Sequence, residues 1–139
     1  MTALFIALGV LMAASGMAAQ LARGLAQGGP WYVLAAPFVG ALGGFVTGSN
    51  TGANAMFAAT QAEIAHALGV PLLPFMAVHN VSAALLLMAS PGKVEMALQL
   101  LNKGAEGPAL RRWLQRAVLA VDLAAVALLG LLNLAWSRA

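Results

Sequence analysis

The sequence contains no cysteine, little charge and few aromatic rings. Without cysteine there is no disulfide framework, no thiolate metal site and no thiol nucleophile. Charged residues make up 8% of the 139 positions, against about 25% in an ordinary soluble domain. So few charges cannot clothe a globular surface. A hydrophobic fraction of 62% and a mean hydropathy of +0.88 place the chain in a bilayer. Aromatics at 6% leave Ala, Leu and Gly to make the helix contacts, and small residues allow close helix approach in lipid. The net charge of +3 does not point to nucleic acid, because the cations are few and lie at segment ends, where they set membrane orientation. The first segment lacks the basic leader of a signal peptide and reads as a membrane helix. There is no nucleophile–base pair, phosphate loop or metal-ligand spacing, so enzymatic activity is not expected.

What is present is apolar sequence cut at a few places. The composition predicts an all-α integral membrane protein forming a single membrane domain over residues 1–139. Residues 2–22 are almost uninterrupted apolar sequence, about 20 residues or ~30 Å of helix, one bilayer crossing. Its small-residue face, Ala13 to Ala19, suits helix packing. Gly28-Gly29-Pro30 ends that region, and Trp31 and Tyr32 follow at a boundary, where aromatic belts form. Residues 33–68 contain two apolar arms, Val33 to Val46 and Ala55 to Leu68, around an eight-residue polar stretch, Thr47 to Asn54. Each arm, at about 14 residues or ~21 Å, falls short of the roughly 30 Å hydrocarbon core. The pattern predicts a re-entrant helical hairpin, with Gly40, Gly43 and Gly44 packing the first arm on the second.

Residues 71–102 would be too long for a simple crossing as one helix, and Ser90-Pro91-Gly92 breaks it into two. Residues 102–116 form a hydrophilic connection with Lys103, Arg111, Arg112 and Arg116 against Glu106. By the positive-inside rule it is cytoplasmic. Residues 117–136 make the last crossing. This arrangement puts the C-terminus outside, opens the hairpin to the outside, and leaves Arg23 and Arg138 on the outer face.

Two interruptions therefore stand out, the hairpin tip and the helix break. Irregular backbone at membrane depth is tolerated where it is buried in protein or lines a cavity. In secondary transporters it marks substrate and ion sites, with helix N-termini facing anions and free carbonyls facing cations. The candidate site residues are Thr47, Gly48, Ser49, Asn50, Thr51 and Asn54 at the tip, and Ser90, Pro91 and Gly92 at the break. Hydroxyls and amides can bind ligand while carrying no charge to bury. The competing role is local: the same groups cap the hairpin's own helices. His79 lies on a membrane helix, where an ionisable group is a functional candidate. Two roles fit it, a proton relay or a neutral ring bonded to a neighbour. Asp122 sits six residues beyond Arg116, shallow enough for interfacial solvation or a partner cation. Lys93 adjoins the break and can attract a carboxylate, while Glu63 and His66 read as solvated.

The stretch from Phe38 to Phe57 (FVGALGGFVTGSNTGANAMF), with Gln61, Ser15-Gly16-Met17 and Ser90-Pro91, resembles the signature of the L-lactate permease family. The resemblance runs from about Leu4 to Trp136. Ser49-Asn50-Thr51 also resembles the hairpin-tip triplet of sodium-coupled carboxylate carriers in the wider ion-transporter superfamily. It implies a cation-coupled secondary carrier, using a proton or sodium ion and no other cofactor, for lactate or a related small monocarboxylate. It implies a multi-pass protein of the plasma (inner) membrane and a site in which Ser49, Asn50 and Thr51 face Ser90 to Gly92. Family members are longer, so the chain corresponds to the C-terminal part of such a carrier. Its partners would be the monocarboxylate, the lipid bilayer, the missing N-terminal part of the carrier and, as an open option, a second copy in a homo-oligomer. The family's polar run before the Ser-Pro is replaced here by Ala83-Ala84-Leu85-Leu86-Leu87. A second expectation follows from that departure: a small membrane protein or truncated remnant that acts by helix packing without transport.

Overall fold

The computed structural model describes residues 2–101 and 107–137, and among them it is helical throughout, with no strand. The helices are α1 (Thr2–Ala14), α2 (Met17–Ala26), α3 (Pro30–Thr47), α4 (Asn50–Leu68), α5 (Leu72–Leu86), α6 (Pro91–Leu100) and α7 (Pro108–Trp136). A 3-10 turn, Leu87–Ala89, joins α5 to the break before α6. Three stretches are long and apolar enough to cross a membrane, Pro30–Thr47, Leu72–Ala89 and Pro108–Trp136. The chain is an all-α, multi-pass integral membrane protein.

The expected first crossing is not one helix. α1 and α2 meet at 79°. The bend falls at Gly16, whose φ of +74° is left-handed and costs little only for glycine. α2 then buries Ala18 and Ala22 against α4, with Gln20 and Arg23 exposed on its other side.

The hairpin arms are longer than expected. α3 has 18 residues and α4 has 19, so only Gly48 and Ser49 of the eight-residue polar stretch lie outside helix. With 18 residues α3 falls within the roughly 17–25 residues of membrane-spanning helices and is apolar enough to cross, so the length argument for re-entry does not hold for it. The polar residues do not break the helices because their side chains bond locally. The Thr47 hydroxyl lies 2.8 Å from the Gly43 carbonyl one turn back.

Close contacts fix the order of packing. A Cβ on Gly40 would lie 2.8 Å from His79 Nδ1, and one on Gly44 would lie 2.8 Å from the Ala83 carbonyl carbon. These two contacts, four residues apart on both helices, set α3 and α5 side by side and parallel. Gly43 is the glycine that faces α4, with a Cβ there 3.0 Å from Ala53 Cβ. The glycine cluster thus serves two neighbours, whereas the sequence pattern assigned it to one.

Pro37 lies inside α3. Its missing N–H leaves the Val33 carbonyl without its helical donor. Asn133 of α7 supplies the replacement, donating from Nδ2 to Val33 O at 2.8 Å. Nearby, a Cβ on Gly130 would meet the Leu34 carbonyl at 2.6 Å. At the other end of α7, Gln115 Nε2 donates to the Ala89 carbonyl at 3.2 Å. α7 therefore runs antiparallel to α3 and α5.

α7 begins at Pro108, so Arg111, Arg112 and Arg116 are helical rather than in a loop. Proline is tolerated at the first helical position. The remainder of the expected loop, residues 102–106 with Lys103 and Glu106, lies outside the described residues, as does Arg138. The outer face of α7 is apolar, with Val121 70% and Leu131 58% exposed. In a bilayer that face meets lipid tails.

Candidate functional site

The hairpin tip is built from three consecutive residues. Gly48 closes α3 with φ +60° and gives its N–H to Gly44 O. The Thr47 hydroxyl sits 2.8 Å from both the Gly43 and the Ser49 carbonyls and accepts the Ser49 N–H at 3.2 Å. Ser49 is extended (φ −149°, ψ 125°) and caps α4, its Oγ accepting the Gly52 N–H at 3.1 Å. Thr47 and Ser49 are thus engaged in the helix ends. This is the local role that serine and threonine fill at an N-cap.

Asn50 and Asn54, one turn apart on α4, converge on a residue that sequence reasoning did not place at the site. Asn50 Nδ2 and Asn54 Nδ2 both donate to Asn80 Oδ1 of α5, at 2.9 and 2.7 Å. Asn54 Nδ2 also lies 3.0 Å from the Asn50 carbonyl. The signal for Asn80 was its amide in an apolar helix, next to the singled-out His79. Thr51 points elsewhere. Together with Asn54 it lines a groove of about 550 Å³ against Ile6, Gly9, Val10 and Ala13 of α1.

At the break, Ser90 is extended (φ −62°, ψ 144°) and Pro91 opens α6. The backbone there is largely satisfied. The Ala89 carbonyl takes Gln115, and the Ser90 carbonyl accepts the N–H groups of Lys93 and Val94 at 3.0 and 3.1 Å. The Ser90 hydroxyl is not: it is buried and has no hydrogen-bond partner. It lies 3.3 Å from the point a Gly48 Cβ would occupy.

Tip and break meet at a cleft of about 450 Å³, lined by Thr47 and Gly48 on one side and Ser90, Pro91, Gly92 and Lys93 on the other. The structure therefore brings Thr47, Gly48 and Ser90 to Gly92 together. It places Asn50 and Asn54 in the amide cluster with Asn80, and Thr51 on the α1 side. The contact between Gln115 and Ala89 sets the depth. The cleft lies level with the start of α7's apolar run, near Arg116, and not at its middle.

His79 is buried at 1% exposure, packed on Gly40, with neither ring nitrogen bonded. It does not line the cleft. Asp122 is buried at 7% exposure, and its Oδ2 has no partner. It sits within the bundle rather than in the interfacial water that its distance from Arg116 suggested. Glu63 and His66 are exposed. Glu95 pairs with Arg111 of α7 at 2.7 Å. A further buried pair went unseen in the sequence: the Tyr32 hydroxyl donates to Gln61 Oε1 at 3.1 Å, and Gln61 Nε2 donates to Ala36 O at 3.2 Å. Among the described residues no group of three metal-ligating side chains exists.

Comparison with known proteins gives this geometry a context. The family model described as L-lactate permease matches residues 1–134. The L-lactate permease of Escherichia coli K12 is 40% identical over 83 residues, covering 60% of this chain and 15% of that protein. The L-lactate permease of Salmonella typhi is 37% identical over 83 residues, again 60% of this chain and 15% of the relative. The matched stretch thus spans only a small part of the curated relatives' length, and no solved structure matches the chain. With the family model covering nearly every residue, the chain belongs to the L-lactate permease family.

Proposed function

We propose that the chain is the C-terminal part of a secondary carrier for lactate or a related small monocarboxylate. The carrier lies in the plasma (inner) membrane, and uptake is coupled to a proton or a sodium ion. Thr47, Gly48, Ser90, Pro91 and Gly92 contact the carboxylate. Ser49, Asn50, Thr51 and Asn54 hold the tip in place and present it to the rest of the carrier. The observation that carries this reading is the cleft between tip and break, where a buried Ser90 hydroxyl has no partner. A buried hydroxyl left unpaired is costly, and a carboxylate oxygen would satisfy it. The N-terminus of α6 adds a positive dipole end on the same side.

The relatives are L-lactate permeases, and they supply the substrate of this reading, lactate. The test is uptake of labelled lactate by cells producing this chain together with an N-terminal carrier part, comparing the native chain with Ser90→Ala. The variant is expected to lose most uptake while reaching the membrane in equal amount. Equal uptake would remove Ser90 from the site. The packing-only reading draws support from Thr47 and Ser49, whose hydroxyls are engaged in helix caps. Absence of lactate uptake by the native pair would favour it.

A further inference from the structure

Lys93 immediately follows the break, on the first turn of α6, and lines the cleft opposite Thr47 and Gly48. Its neighbour in sequence, Glu95, is engaged with Arg111 at 2.7 Å, so the nearest acidic group on α6 is already paired. Within the described lining of the cleft, Lys93 is the charged side chain; the others are hydroxyls, backbone and apolar groups. Three features therefore favour an anion at one place. They are the ammonium, the N-terminus of a ten-residue helix, and the Ser90 hydroxyl, 2% exposed and without a partner.

We propose that Lys93 selects the ligand's charge: its ammonium pairs with a single carboxylate in the cleft that Ser90 and Gly48 line, which makes the site one for monoanions. The inference rests on the carboxylate reading above and adds to it a residue and a charge class. One full positive charge balances one carboxylate. A second carboxylate in the same cleft would face the apolar side chains of Phe45, Val46 and Met96 and find no second cation among the described lining residues, so it would gain no ion pair of its own. A neutral analogue would forgo the charge-assisted bond, the stronger kind.

The chain has no cysteine, so one introduced thiol reports on the cleft directly. Met96 lines it and is 48% exposed. The experiment uses the Met96→Cys chain assembled with a cysteine-free N-terminal carrier part in lipid nanodiscs and measures its rates with an anionic and a cationic thiol reagent, with and without L-lactate, lactamide or malate. In this background the anionic reagent is expected to react faster, and lactate to slow the reaction, with lactamide and malate much weaker. Lys93→Gln should remove the anionic preference and weaken lactate protection roughly tenfold, the loss expected for one charge-assisted bond. Lys93→Arg should retain both. Lactate protection undiminished in Lys93→Gln would overturn the role of Lys93 and leave the site reading intact. Absence of lactate protection in every background, with the anionic preference still dependent on Lys93, would overturn the carboxylate site itself. Equal protection by malate would overturn the monoanion selection alone.

Discussion

At the scale of single residues, the molecule's polar side chains mostly repair its own backbone. Pro37 withdraws a donor from α3, and Asn133, one hundred residues beyond Val33, provides one at 2.8 Å from Val33 O. The two positions form a testable pair. Asn133→Leu leaves a buried carbonyl unpaired, which costs about 1–2 kcal/mol, the lower part of the range for such groups because interhelical bonds in bilayers are modest. Pro37→Ala restores an N–H within α3 that can serve Val33 O itself. In that background the Asn133→Leu penalty is expected to shrink to a few tenths of a kcal/mol. Reversible unfolding in mixed micelles of the four proteins measures it. A penalty unchanged by Pro37→Ala would mean that Asn133 contributes through packing and not through the carbonyl. Neither residue's role was readable in the sequence. The proline announced a free carbonyl, but nothing local says which of several distant amides will reach it. The same holds for Asn80, whose importance comes from Asn50 and Asn54 both donating to it.

At the scale of elements, the two interruptions were legible because their chemistry is local. Gly48-Ser49 and Ser90-Pro91 combine a left-handed glycine, a capping hydroxyl and a residue without an N–H, and each ends one helix and starts another where the sequence pattern put it. What misled was the assumption that polar residues exclude helix. Thr47 bonds back to Gly43 and stays in α3, and Asn50 and Asn54 bond within the first turns of α4. The bend at Gly16 escaped notice because its small neighbours suit a straight packed helix equally well.

Gly48 allows the tip to be tested as an element. Gly48 and Gly69 both end helices with similar left-handed geometry, φ +60° and +66°. A Cβ on Gly69 meets nothing within 4 Å, whereas one on Gly48 comes 3.3 Å from Ser90 Oγ. Gly69→Ala is expected to cost about 1–2 kcal/mol, the left-handed penalty alone. Gly48→Ala should cost that and a further increment for crowding Ser90. The increment should vanish in Ser90→Ala, where the oxygen is gone. Equal losses at the two glycines, measured by unfolding in micelles, would show that the tip and the break do not press on each other.

At the scale of the whole molecule, the contacts order the helices along one axis. Val33 pairs with Asn133 at one end, Gly40 and Gly44 meet His79 and Ala83 in between, and Ala89 meets Gln115 at the other. The cleft therefore shares an end of the bundle with the basic start of α7, while Trp31 lies at the opposite end. Trp31 and Trp113 are 79% and 66% exposed, so each can carry a reporter without disturbing the core. Arg111, Arg112 and Arg116 place the Trp113 end in the cytoplasm by the positive-inside rule. In the cysteine-free chain, Trp113→Cys and Lys93→Cys should be protected from an impermeant thiol reagent in intact cells and react once the cells are opened. Trp31→Cys should react from outside. The sequence alone expected the hairpin to open outward, with its tip at membrane depth. The packing instead carries the tip to the level of Arg116, so a reporter at the cleft should follow Trp113 and not an intermediate pattern. Labelling of Lys93→Cys from the outside, with Trp113→Cys protected, would detach the cleft from the cytoplasmic end and overturn this ordering. Labelling of Trp31→Cys and Trp113→Cys from the same face would show that α3 does not cross.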